Sequence, residues 1–175
     1  TYKQGDLIVG IWKVDETIEQ LRSMFHQFSI YEEGFMRFTA EKRRQEWLAV
    51  RVLLKELCGE EKKIAYLPSG KPYLEDQSAF VSFSHTVGYV AVALHPTAEV
   101  GVDIEQYGTR VKRVASRFIR EDEKISIESG DEIYALLLHW SAKETLFKLM
   151  KDEAVDFVKH LHILPFVPEE SGTFH

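Results

Sequence analysis

With 175 residues, 45% of them hydrophobic and 29% charged, the chain has the composition of an ordinary globular protein large enough to bury a core. Its formal net charge of -6 leaves no basic excess to neutralise a phosphate backbone, which excludes nucleic acid as a general partner. The single cysteine, Cys58, excludes an internal disulfide and a cysteine-built metal centre, and it reads as a small hydrophobe near a helix end. No window approaches the apolar run that a membrane span needs, and the N-terminus lacks the basic-then-apolar pattern of a secretory signal, so a cytoplasmic protein without membrane association is expected. A start at Thr1 rather than Met is expected of a trimmed or processed chain.

Residues 8–12 predict an opening strand, and Asp15 followed by Glu16, Glu19, Leu21, Met24 and Phe25 predicts a capped helix. A long helix is predicted from Thr39, as its N-cap, to Leu57. Trp47, Val50, Leu54 and Leu57 lie at helical spacing, and Gly59 stands where a glycine stops a helix. Arg44 and Arg51 share one side of it. Pro68-Ser69-Gly70-Lys71-Pro72 reads as an irregular loop. Residues 80–84, 89–94 and 100–105 are β-branched or aromatic runs, predicted as an antiparallel meander. A helix-like segment follows at 114–118, then a second long helix from about Asp131 to Met150 with Ile133, Leu136, Leu137, Trp140 and Phe147 as its apolar stripe. Residues 155–166 read as strand, broken by Pro165 and Pro168. The mixture predicts an α+β fold.

Four constellations carry chemistry. In Gly101-Val102-Asp103-Ile104-Glu105 a strand's period of two would send Asp103 and Glu105 to one face. Adjacent carboxylates repel unless a proton or a cation joins them, and such hard oxygen ligands suit Mg²⁺ or Mn²⁺. Taken alone, the pair reads more readily as a solvated strand end. In Trp140-Ser141-Ala142-Lys143-Glu144, followed by Lys148, helical geometry stacks Trp140, Glu144 and Lys148 on successive turns. Glu144 and Lys148 alone are an ordinary surface pair contributing about 0.2–0.5 kcal/mol. The third constellation is basic: Arg43, Arg44, Arg51 and Lys71 could hold phosphates. In the fourth, Ser82-Phe83-Ser84-His85, the histidine could donate to a phosphate or cap a turn.

Taken in order, Gly70-Lys71-Pro72, Phe83-Ser84-His85, Gly101-Val102-Asp103-Ile104-Glu105 and Trp140-Ser141-Ala142-Lys143-Glu144 with Lys148 resemble the successive signatures of the Sfp-type 4'-phosphopantetheinyl transferases. The helix with Glu46, Trp47 and Arg51 is similar to that family's N-terminal helix, and the likeness covers roughly residues 40–150. The resemblance implies an α+β fold of two similar halves related by a pseudo-twofold, each a small antiparallel sheet packed with helices. The halves would span residues 1–98, with the coenzyme A phosphate contacts, and 99–175, with the metal site. It implies a Mg²⁺ ion on Asp103, Glu105 and Glu144, with Lys148 on the pyrophosphate of coenzyme A. Arg44, Arg51, Lys71, Pro72, Ser84 and His85 would surround the 3'-phosphate and adenine end, with Arg43 the alternative to Arg44.

The implied activity is holo-[acyl-carrier-protein] synthesis. A serine of an apo acyl or peptidyl carrier protein attacks coenzyme A, with Glu144 as proton acceptor and Lys148 as the second catalytic residue. Lys143 is assigned to positioning the helix or contacting a phosphate. A monomer is expected, since two halves in one chain suffice for a site. The sequence departs from the family at Thr86, where a serine is common, and in ending soon after Lys148, so the last strands of the second half are expected to be incomplete. Two rival readings use the same residues: a metal-dependent phosphohydrolase or nuclease, and a catalytically silent domain that binds carrier proteins or coenzyme A.

Overall fold

The structure is a computed structural model that describes residues 1–124, 130–150 and 154–173. The chain divides into two compact units, Thr1–Ile104 and Glu105–His175. The first is α+β. Its strands β1 (Tyr2–Gln4), β2 (Leu7–Lys13), β5 (Phe80–Thr86) and β6 (Tyr89–His95) form an antiparallel sheet in the order β1-β2-β6-β5, and β3 (Ile64–Tyr66) pairs with β4 (Pro72–Leu74) in a separate hairpin. Three helices, α1 (Ile18–Ser23), α2 (Glu32–Met36) and α3 (Glu41–Cys58), complete the unit.

One face of the sheet is apolar and lies against α3. Val81 and Phe83 of β5 stand opposite Leu94 and Val92 of β6, and these join Leu48, Val52 and Leu54 of α3 and Leu21 of α1 in a single core. Trp47 gathers Tyr31, Phe35 and Phe38 around its ring. That packing requires Gly34, where a Cβ would come within 2.7 Å of Trp47 Cζ2. The other face carries small residues: Ser82 opposite Ala93, and Ser84 opposite Ala91, all four buried.

The segment predicted as a third strand at 100–105 crosses that small-residue face without joining the sheet. Val102 N–H donates to Ser82 Oγ at 3.1 Å, and Ile104 N–H donates to Ser84 Oγ at 3.3 Å. Serine hydroxyls meet two of its donors, and no ladder forms. Boundaries elsewhere shift as well. Ala40, not Thr39, precedes α3 and gives no side-chain cap, and Thr17, not Asp15, caps α1 through a capping box with Gln20. Pro72 begins β4 instead of ending a loop. Gly59 does close α3, with φ of 76° in the left-handed region that favours glycine.

The second unit contains a long helix, α4 (Glu132–Leu149), whose N-cap Asp131 accepts from Ile133 N–H and Tyr134 N–H. The helix-like stretch at 114–118 is a 3-10 turn, Ala115–Arg117. Val111, Phe118 and Leu136 form a small core that Trp140 and Phe157 help to cover. Residues 155–166 form no strand. None of the described residues of this unit is in a strand, so the sheet expected of a second half is not among them. Among the described residues no helix is long and apolar enough to cross a membrane.

A buried polar knot fixes the second unit. Lys143 and Glu123 are both fully buried, and Lys143 Nζ donates to Glu123 Oε2 at 2.7 Å, to Phe118 O at 2.6 Å and to Phe157 O at 3.1 Å. Glu123 also accepts Arg120 N–H at Oε2 and Ile163 N–H at Oε1. The ammonium thus spends three donors, and both carboxylate oxygens are occupied, which is what a buried pair requires to offset its desolvation. Burial pulls the Lys143 ammonium below its usual range, with Glu123 opposing.

Candidate functional site

Strand geometry separates two residues that are neighbours in sequence. Ser84 and His85 point to opposite faces of the first unit's sheet, as a period of two requires. Ser84 lies on the small-residue face, where its hydroxyl accepts from Ile104 N–H and donates to Asp103 Oδ1 at 2.9 Å. His85 lies on the α3 face, at the end of the sheet where that helix begins. There Arg43 Nη1 stands 2.7 Å from His85 Nε2 and 3.0 Å from Glu46 Oε2, and His85 Nδ1 lies 3.4 Å from the same carboxylate oxygen.

The other cations expected at a phosphate are distributed differently. Arg44 Nε donates to Phe38 O at 2.6 Å, with its guanidinium over the Phe35 ring. Arg51 is buried, stacked 3.3 Å above the Trp47 ring, bonded to Trp47 O at 3.1 Å and to the Tyr66 hydroxyl at 3.4 Å. Burial lowers its guanidinium from the usual value. Lys71, in the β3–β4 turn, pairs with Glu99 at 2.5 Å, and Pro72 starts the strand after it. Of the expected phosphate contacts, then, His85 stands with Arg43 rather than with Arg44 or Arg51.

In the second unit Trp140 Nε1 donates to Glu105 Oε1 at 2.8 Å, which ties Glu105 to α4 one turn before Glu144. Lys148 follows Glu144 by a further turn, and both are half-buried. Lys143 takes no part in that face, because its side chain is consumed by the knot with Glu123. Glu46 and Glu123 are the residues that sequence reasoning does not assign. The i,i+3 spacing of Arg43 and Glu46 is a signal for the first, whereas nothing local marks the second.

Asp103 belongs to the first unit, and Glu105 and Glu144 to the second. Within neither unit, among the described residues, do three His, Cys, Asp or Glu side chains stand together as a ready-made metal site. Carboxylates are the donors that a hard divalent cation takes; in the first unit Asp103 is oriented by a serine hydroxyl, and in the second Glu105 by an indole N–H. Those neutral donors orient the acids without cancelling their charge.

Comparison with known families meets this geometry in its second part. Residues 99–174 match the 4'-phosphopantetheinyl transferase superfamily. The matched stretch contains Asp103, Glu105, Glu144 and Lys148 together with the Lys143–Glu123 knot, whereas Arg43, Glu46, Lys71, Ser84 and His85 precede it. No curated protein matches the chain.

Proposed function

We propose that the chain is an Sfp-type 4'-phosphopantetheinyl transferase with holo-[acyl-carrier-protein] synthase activity, working in the cytoplasm as a monomer. It would take coenzyme A as donor and an apo acyl or peptidyl carrier protein as acceptor. The observation that carries this reading is the superfamily match over residues 99–174, in which the three carboxylates Asp103, Glu105 and Glu144 and the cation Lys148 are all present. A second half-sheet related to the first by a pseudo-twofold is part of the same proposal.

In the proposed reaction the carrier's serine oxygen forms a bond to the β-phosphorus of coenzyme A. The bond from that phosphorus to the bridging oxygen breaks, and adenosine 3',5'-bisphosphate leaves. Glu144 accepts the serine proton, directly or through a water. Lys148, one turn along α4, offsets the negative charge that grows on the phosphoryl and leaving oxygens. Mg²⁺, or Mn²⁺, held by Asp103, Glu105 and Glu144 would supply further positive charge to the pyrophosphate. Ser84 and Trp140 hold two of those carboxylates in orientation.

The 3'-phosphate and adenine end falls to Arg44, Arg51, Lys71, Pro72, Ser84 and His85, to which the geometry adds Arg43. Arg51 would contribute beside its bond to Tyr66, and Ser84, whose one hydroxyl hydrogen goes to Asp103, would contribute by orienting that carboxylate. The test is product analysis with coenzyme A and Mg²⁺. Adenosine 3',5'-bisphosphate should be released only when an apo carrier is present. Release without a carrier would support a hydrolase instead, and absence of release with several carriers would leave a silent binding domain.

A further inference from the structure

We propose that His139 is a proton-operated latch: its neutral ring seats Phe166, and with it the strap 164–169, on α4, and protonation in mild acid releases that stretch. The latch goes beyond the transferase reading and does not depend on it. The chain after Asp156 runs back along α4. Lys143 Nζ donates to Phe157 O, the Phe166 ring lies 5.0 Å from that of His139 at 31°, and the Tyr134 hydroxyl donates to Glu169 O. Its hold on the helix differs along its length. Leu161 and Ile163 are buried, and Ile163 N–H donates to Glu123. From Leu164 to Glu169 only Phe166 and Pro168 are as much as half-buried, and Pro165 and Pro168 have no N–H to give. Phe166 is thus the main anchor of the outer stretch, and it sits on an imidazole.

His139 is fully buried. Its Nδ1 stands 2.8 Å from Ala135 O, and a carbonyl only accepts, so Nδ1 carries the proton and Nε2 presents a lone pair. Among the described residues nothing bonds to that Nε2. A second proton would make it a donor without an acceptor, on a cation cut off from water. The charged groups that face the ring do not relieve this. Lys143, one turn on along α4, repels an imidazolium, and Glu123, on the 3-10 turn Glu121–Glu123, has both oxygens taken by Lys143 Nζ, Arg120 N–H and Ile163 N–H. The strap brings the Phe166 ring, whose face attracts a cation but does not replace its water, while His162 of the strap lies 3.4 Å from Asp122. Burial accordingly holds the His139 ring below its usual value, with Lys143 adding to this and Ala135 O and Glu123 opposing it. With Phe166 seated, the ring refuses a proton that it takes at about 6.5 in water, so seating is fully stable above that pH and weakens below it.

The experiment uses the full chain as wild type, His139→Phe and His162→Asn, with ¹⁵N-labelled histidine and ¹³C-labelled phenylalanine. From about pH 8 to about pH 5, NMR follows the His139 ring, the contacts of the Phe166 ring with α4, and hydrogen exchange at Ile163 N–H. In wild type the His139 ring should be in the Nδ1–H form at the upper end. Below about 6.5 the ratio of seated to released Phe166 should fall about ten-fold per pH unit, the slope of one proton, and His139 and Phe166 should share one midpoint. Ile163 N–H should stay protected, because Glu123 holds the inner strap. His139→Phe should keep Phe166 seated across the range, and His162→Asn should titrate as wild type does. A wild-type Phe166 that stays seated at the acid end would overturn the latch. So would a release that persists in His139→Phe, one that disappears in His162→Asn, or a loss of Ile163 protection in step with it, which would mean general acid unfolding. Where His139→Phe does not fold, the shared or separate midpoints of His139 and Phe166 in wild type decide alone.

Discussion

In the first unit, Arg43 and Lys71 meet their carboxylates, Glu46 and Glu99, where at least one partner of each pair stays in contact with solvent. In the second unit, the lysine of the helix motif is sealed from solvent on Glu123 and two backbone carbonyls. Pairs of the first kind can be traded for a ligand at small cost, because water and the ligand replace what is lost. Pairs of the second kind cannot, because a charge left alone in the interior has nothing to replace its partner. The difference separates candidate ligand groups from framework even though both are lysines and arginines in conspicuous motifs.

The largest effect is expected at the knot. Lys143→Met leaves Glu123 buried without its cation and should destabilise the chain by about 3–5 kcal/mol in urea unfolding, whereas replacing both partners by apolar residues should cost much less than the single change. A loss below about 1 kcal/mol would remove the knot from the account. Next comes Ser84→Ala, which removes the hydroxyl that accepts from Ile104 N–H and donates to Asp103 and should cost about 1–3 kcal/mol. A neutral result would mean that residues 100–104 do not depend on the serines.

Two smaller effects sharpen the contrast on the first unit's side. Glu99→Gln, at a part-exposed pair, should change stability by less than about 1 kcal/mol, against the several expected at Lys143. The smallest effect concerns acid. The Lys62 ammonium bonded to Asp76, helped by Ser78, holds that carboxyl at about 2. Its folded value lies below the unfolded one of about 3.9, so its contribution is present above that pH and is lost as pH falls toward 2. Asp76→Asn should be slightly less stable than wild type near neutral pH, and the two should converge at the acid end of a pH-resolved unfolding series.

Much of the framework is legible in the residues. β2, β5, β6, α3 and α4 announce themselves through apolar periodicity, and Gly59 and Asp131 through end chemistry. The run at 100–105 has the same sequence alternation as a strand, but periodicity does not say where the N–H groups go, and those of Val102 and Ile104 go to serine hydroxyls. The opposite orientation of Ser84 and His85 was available from the period of two alone. The Trp47–Arg51 stack was available too, from its i,i+4 spacing on α3. Lys143 was not, because its partner is a distant glutamate on a short 3-10 turn, and a lysine in an amphipathic helix ordinarily reads as surface.

The candidate site presents itself in the sequence as a set of motifs in order, and the superfamily match spans residues 99–174. Glu46 escaped because an acid beside a basic cluster looks like an ordinary helix pair until β5 brings His85 to it.

The most direct test of the central claim is the intact mass of a purified apo carrier protein after incubation with this chain, coenzyme A and Mg²⁺, with Asp103→Ala run in parallel. The carrier should gain one phosphopantetheine with the wild-type chain and none with the variant. A carrier whose mass is unchanged by the folded wild-type chain, across several apo carriers, would contradict that claim.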